Sequence, residues 1–455
     1  MTRIVCVCAV VANIAALVAP LSGGHSVGGH RLAGLPVIRF RTKTGVTVLL
    51  HQESASRTVA LAVAVRSGRA EADAPPGIGA LVSTALFGSN SNLSREAVAR
   101  ALYFAGGDVR TSWMPECVTV SLVTSPEGFS RAVYILAQGM KNADLDQETV
   151  AHAIQEQQHE LARDAGDPVT IGAQAARAYL YANHPYGRPV RGTAEELKKI
   201  TRSQLRSYYE TAFQPANTVV AVCGNLDAAY VRRVMENNFV DYEQRPSPAR
   251  REPMTPDLTE PPIPRRLTVR TAAETAAVLV AYRTCGRGDP AYPATKVLAT
   301  ILGGGKASRL FQTVRDRKGV GYRVGAEVHA FAHGGVIYAY AEVSAQRADD
   351  VFLEEVEAMV VEATESVLRK PPSEQELHRA RHLAGGLHRQ SRQRATDLAL
   401  ALAEAEALTG SFESDTALPN RLATVTAEDV VGEARRVLTN RCVVIVRPDR
   451  ARKGP

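Results

Sequence analysis

The sequence predicts two duplicated domains of mixed helix and strand behind a short export signal, and three observations lead there. The 455 residues exceed one ordinary domain. Hydrophobic residues make up 45% and charged residues 22%, enough apolar material for more than one core. A Pro-rich, charged stretch at 245–266, RPSPARREPMTPDLTEPPIPRR, has no apolar period and reads as an extended linker. The parts on either side, 36–244 and 267–449, have similar lengths and repeat one order of elements, as a duplication would. The formal charge of +7 is modest for this length. With no dense basic stripe or interleaved aromatics, nucleic-acid binding is excluded as a reading.

Met1–Arg3 supply a positive start, and Ile4–Ala19 form an apolar run broken only by Asn13. Pro20 and the small residues Ser22–Gly24 follow, so 1–24 reads as a secretory signal and the chain as exported, periplasmic or extracellular. An uncleaved anchor is the alternative, and membrane contact is expected only then. Export would leave Cys117, Cys223, Cys285 and Cys442, scattered without metal-type spacing and expected buried rather than bridged.

In the first part, VIRFRTKTGVTVLLHQES predicts strand, turn and strand, and TVALAVAVRSG a third strand. The stretch from Pro75 begins a helix. SREAVARALYFAGG is a second helix, capped by Ser94 and ended by paired glycines. CVTVSLVTS is a strand, GFSRAVYILAQGMKN a helix, and 146–164 a long polar helix. HPYGRP (184–189) is a turn by composition, and NTVVAVCGNLD is a strand leading into the helix AAYVRRVMENNF. The second part answers with the strand AAVLVAYRT and the helix YPATKVLATILGGG. ASRLFQTVRDRKG reads as helix, YRVGAEVHAF and GVIYAYAEVS as a strand pair, and DVFLEEVEAMVVEATESVL as helix. RCVVIVRPD then matches TVVAVCGNLD in position.

Three stretches carry a more specific signal: PGIGALVSTALFGS, NHPYGRPVRGTAEELKKITRSQLRSYYETAFQPANTVVAVCGNLD and LGGGKASRLFQTVRDRKGVGYRVGA. They resemble the insulinase/pitrilysin family of zinc metallopeptidases, the inverzincins, over about residues 36–448. The resemblance implies an α+β fold of two domains, each a mostly antiparallel sheet packed with helices. Active members carry H-x-x-E-H, two histidines gripping zinc from one helix face with a glutamate as general base. Matched to that frame, Ala80 and Thr84 stand where the histidines belong and Ser83 where the glutamate belongs; Glu160 matches the third ligand. A methyl and hydroxyls replace neither imidazole nor base, so the chain resembles the family's zinc-free members, and no metal is expected on it.

Arg315 and Tyr322, seven apart in RDRKGVGY, match an arginine–tyrosine pair of the family's second domain. There the pair is implied to reach substrate beside zinc bound by the opposite domain, both side chains donating to a peptide carbonyl or its oxyanion. The alternative is that Arg315 pairs with a nearby acid while Tyr322 packs beside Val324 and Ala326. Gly303, Gly304 and Gly305 resemble the glycine-rich segment some zinc-free members turn toward substrate, although helix termination also explains three glycines.

Other motifs read as bland. His152, Glu156, His159 and Glu160 share helical spacing, but Arg163 stands where H-E-x-x-H needs its second histidine, and a solvated face explains them. His378 and His382 are flanked by arginines. GGGKAS lacks the Ser/Thr and the preceding strand of a phosphate loop. The expected function is therefore a non-catalytic subunit of an exported heterodimeric zinc endopeptidase. It would be inactive alone, facing peptide substrate with Arg315 and Tyr322 while a related partner holds the zinc. A scaffold or peptide-holding protein without a role in hydrolysis is the other reading.

Overall fold

The opening Thr-Gly turn folds as its residues dictate. Gly45 takes φ 106°, a left-handed value that favours glycine. The turn joins β1 (Ile38–Arg41) to β2 (Thr47–Gln52) as an antiparallel pair. In this computed structural model the described residues are 36–449, excluding 69–73, 107–108, 183, 190, 246–264, 317–318 and 440. The proposed signal, 1–24, and nearly all of the Pro-rich linker lie outside them. Residues 35–455 cluster as one unit.

The first sheet adds β3 (Val59–Arg66), β4 (Arg110–Met114), β5 (Cys117–Thr124) and β6 (Thr218–Gly224), in the order β1-β2-β6-β3-β5-β4. The second comprises β7 (Arg265–Thr271), β8 (Thr275–Thr284), β9 (Val324–Ala330), β10 (Gly335–Ser344) and β11 (Cys442–Pro448), in the order β7-β11-β8-β10-β9. β7 already includes Arg265 and Arg266, which the sequence reading gave to the end of the linker. Only β2–β6 and β7–β11 run parallel. Laid side by side, β2-β6-β3-β5-β4 and β7-β11-β8-β10-β9 share order and strand sense, so the duplication read from the sequence is a duplication of topology. The fold is α+β with two mostly antiparallel sheets.

Helices of eight or more residues in the first half are α1 (Ile78–Ala85), α2 (Arg95–Ala105), α3 (Phe129–Asn142), α4 (Gln147–Asp164), α5 (Pro168–Leu180), α6 (Arg202–Ala212) and α7 (Ala228–Phe239). The second half has α8 (Tyr292–Gly303), α9 (Asp350–Arg369), α10 (Glu374–Gln390), α11 (Ala395–Thr409) and α12 (Ala427–Val437). Ser94 caps α2 as expected, accepting from the Ala97 amide at 3.3 Å. In place of the expected regular helix after the glycines, Phe311–Asp316 form a π-helical turn.

The central strands of each sheet are buried on both faces, which explains their near-continuous apolar sequences. One face packs on helices of its own half, through Val63, Leu81, Phe129 and Tyr209 in the first and Val280, Leu298, Val356 and Ile445 in the second. The other face is covered by a helix from the opposite half. Ala176 and Leu180 of α5 pack with Leu279 and Val444 of the second sheet. Leu402 and Ala403 of α11 pack with Ala62 and Ala221 of the first. The exchange is reciprocal, so neither half closes its core alone. Cys117, Cys223, Cys285 and Cys442 are buried and free, as their apolar surroundings suggested.

The halves also meet at the β4–β5 turn. Glu116 accepts there from the Tyr186 hydroxyl and, at 2.7 Å, from the Ala332 amide of the β9–β10 turn. Tyr186 lies in the 3-10 turn Pro185–Gly187, the HPYGRP segment, and stacks on Phe331 with ring centroids 4.3 Å apart. Burial pushes the Glu116 carboxyl above its ordinary pKa, outweighing these hydrogen bonds. The folded chain thus holds this proton more tightly than the unfolded one. Its contribution to stability is full below the unfolded pKa and declines as pH rises through the folded value. Glu116→Gln keeps an acceptor and loses the titration. Its melting temperature is expected to gain on that of the wild type as pH rises from acid to neutral; a constant difference across that range contradicts this.

Candidate functional site

The Pro-Gly entry to α1 is fixed by backbone crowding. Gly77 has φ 85°, and a Cβ there would stand 2.6 Å from the Arg191 carbonyl oxygen. Ile78, Leu81, Val82 and Ala85 turn into the first core. Ala80 and Thr84 occupy a half-buried face, and Ser83 is only 3% exposed. Both hydroxyls are already committed, since Ser83 Oγ and Thr84 Oγ1 donate to the Ala80 carbonyl at 2.7 and 3.2 Å.

α4 packs against α1 and carries Glu160. That carboxylate is ion-paired with Arg163 and, at 3.4 Å, with Arg191, which also holds Asp164 at 2.7 Å. One turn earlier, Gln157 is buried and donates to the carbonyls of Gly77 at 3.2 Å and Arg191 at 2.7 Å. The β4 edge adds the indole of Trp113, so close to α1 that a Cβ on Gly79 would lie 2.0 Å from its Nε1. This donor set does not fit zinc. A methyl, two hydroxyls bonded to backbone and one carboxylate neutralised by guanidinium groups supply none of the imidazoles such a site needs. Sequence reasoning missed Gln157, Arg191 and Trp113. Their partners lie 80, 31 and 34 residues away in the chain, and no local spacing signals them.

His152, Glu156 and His159 are exposed on α4, as a solvated face requires. His378 and His382, also exposed, stand with ring centroids 4.2 Å apart on α10. Among the described residues, no group of three or more His, Cys, Asp or Glu side chains is placed to hold a metal.

Arg315 is the penultimate residue of the π-helical turn, and Tyr322 precedes β9. The Arg315 guanidinium donates to the Gly321 carbonyl, which holds it next to Tyr322 in the chain. Among the described residues no carboxylate pairs with it, in contrast to the acid partner that the alternative reading named. Tyr322 is 69% exposed while its amide donates to the Glu342 carbonyl at 2.7 Å. One residue on, Arg323 pairs with Asp167 at 3.3 Å and Glu342 at 3.2 Å, tying this segment to the start of α5. The two predicted sets sit in different halves, and no recorded hydrogen bond or ion pair among the described residues joins them.

The three glycines differ. A Cβ on Gly303 would fall 1.7 Å from the Ala326 amide nitrogen of β9, so α8 can close on that strand only with glycine. Gly304 is crowded by Thr300, at 2.6 Å from such an atom. Gly305 has φ 80° and open surroundings.

Comparison with known proteins agrees with this architecture. A family model described as insulinase (peptidase family M16) matches residues 47–194, and one described as the peptidase M16 inactive domain matches 199–383. An uncharacterized zinc protease of Mycobacterium tuberculosis is 30% identical over 364 residues, 78% of this chain and 80% of that one. The crystal structure of a protease from Helicobacter pylori superposes with a TM-score of 0.82 at 16% identity, covering 91% of this chain and all of the other. That of a peptidase M16 inactive domain from Pseudomonas fluorescens gives 0.79 at 19%, covering 92% and 99%. With the duplicated sheets, the preserved α1 frame and a relative matched over most of its length, the chain belongs to the insulinase (M16) family of peptidases.

Proposed function

We propose that this chain is a zinc-free, non-catalytic subunit of an exported heterodimeric zinc endopeptidase. The observation that carries the reading is the contrast between its two half-sites. The α1–α4 pair keeps the family's frame but has methyl, hydroxyl and guanidinium-paired groups where metal ligands would stand. Arg315 and Tyr322 keep their exposure and their donors. A partner of the same family would hold the zinc. Arg315 and Tyr322 would then donate hydrogen bonds to a peptide carbonyl and, more strongly, to the oxyanion that forms on it. Peptide held in extended form between subunits would be selected by enclosure rather than by a tight side-chain pocket.

Co-expression with a family member bearing H-x-x-E-H tests this. The two chains are expected to co-purify, and peptide hydrolysis is expected from the mixture and not from this chain alone. A stable complex whose turnover equals that of the zinc-bearing chain by itself would instead support a scaffold or peptide-holding role. Zinc-dependent hydrolysis by this chain alone would overturn both.

A further inference from the structure

A cavity of about 700 Å³ lies between the β4–β5 turn of the first half and β9, α8, α10 and α11 of the second. Most of its charged lining is paired internally. Arg287 meets Glu404 at 3.2 Å, and Arg392 meets Asp415. Glu327 lies 3.6 Å from His329 and accepts from the Tyr340 hydroxyl at 3.0 Å.

Arg177 is an exception. It stands on the last turn of α5, the exchanged helix, and is 9% exposed at the cavity wall. Its Nη2 donates to the Arg188 carbonyl at 3.1 Å, while its Nε is buried without an acceptor. Among the described residues no carboxylate pairs with it. Burial lowers its pKa from the ordinary value, and the phenol of Tyr338 acts against that shift. Lys296, in the same wall, sits 5.8 Å from the Tyr292 ring centroid and likewise has no carboxylate among the described residues. A buried guanidinium with neither counter-charge nor a full set of acceptors is costly, and an anion delivered by a ligand would relieve it. The planar fork of arginine suits a carboxylate in particular.

We propose that Arg177 is an anion subsite of this cavity and that its ligand is a carboxylate of a bound peptide. The proposal rests on the peptide-handling reading above and adds a preference that reading does not contain. The carboxylate can be the peptide's C-terminus or an acidic side chain, and the experiment separates them.

Trp113, the chain's only tryptophan, lines the same cavity, so its fluorescence reports occupancy in the full-length protein. The probes are one unstructured peptide containing a single glutamate and ending in a free carboxylate, its C-terminal amide, and its Glu→Gln form. Titration of the wild type is expected to show about tenfold or greater weakening for one of the two neutralised peptides, as loss of a charge-assisted hydrogen bond implies. The neutralised peptide that weakens identifies the source. In Arg177→Met, which keeps the stem's bulk, the affected pair is expected to bind equally; Arg177→Lys is expected to retain part of the discrimination. If Arg177 only supports the Arg188 carbonyl, Arg177→Met lowers the melting temperature and still discriminates, which overturns the proposal. Peptide binding by the wild type with no discrimination overturns the subsite and leaves the peptide-handling reading standing. No peptide binding at all overturns the subsite together with that reading for this chain alone.

Discussion

Arg315→Ala in the proposed heterodimer is expected to lower kcat by about 100- to 1,000-fold, the usual cost of losing an oxyanion donor, with assembly and melting temperature unchanged. The guanidinium is exposed and, among the described residues, held by the Gly321 carbonyl alone, so its removal leaves no buried charge unpaired. Tyr322→Phe keeps the ring and deletes one donor. Its hydroxyl belongs to a side chain 69% exposed, so stability should again be unmoved while turnover falls, less steeply than for the arginine. Because both side chains contribute little to folding, lost turnover in these variants reads directly on substrate contact. Unchanged turnover in both would move the chain to the scaffold reading.

Gly303→Ala is expected to have the largest effect on stability, about 3 kcal/mol or failure to fold, the upper range for overpacking. The added methyl would lie 1.7 Å from the Ala326 nitrogen and 2.4 Å from the Gly325 carbonyl carbon, and neither is a flexible side-chain tip that can swing aside. α8 would have to lift from the edge of the second sheet. Gly305→Ala is the matched control. Its Cβ would meet nothing closer than Leu383 at 3.8 Å, so the change costs about 1–2 kcal/mol from its φ of 80° alone. Equal melting temperatures for the two variants would contradict this account of the loop. The substrate-binding expectation for the triplet is then best tested at Gly305, where folding interferes least.

Much of this architecture was legible in the sequence because its signals are local. The Thr-Gly turn, the Ser94 cap and the absence of H-x-x-E-H at 80, 83 and 84 each lie within a few residues of the pattern that reveals them. The apolar strands AAVLVAYRT and TVALAVAVRSG were legible as strands, but their lack of polar alternation had a cause no local reading supplies. Each is sandwiched between helices, one of them from the other half. α5 and α11 went unread because PVTIGAQAARAYL and ATDLALALAEAEALT carry no strong polar face; each covers a sheet of the opposite half and is itself mostly buried or half-buried. At the α1–α4 pair the sequence shows which residues stand at 80, 83, 84 and 160 but not what surrounds them. Arg191 reaches Glu160 across 31 residues, and Trp113 of β4 covers Gly79 of α1, both through tertiary packing.

Metal content measures the central claim most directly. The purified full-length chain, incubated with excess zinc and passed through gel filtration, is expected to retain none stoichiometrically, while an H-x-x-E-H partner treated alike retains one ion. One equivalent of zinc on this chain, released by Glu160→Ala, would contradict the account.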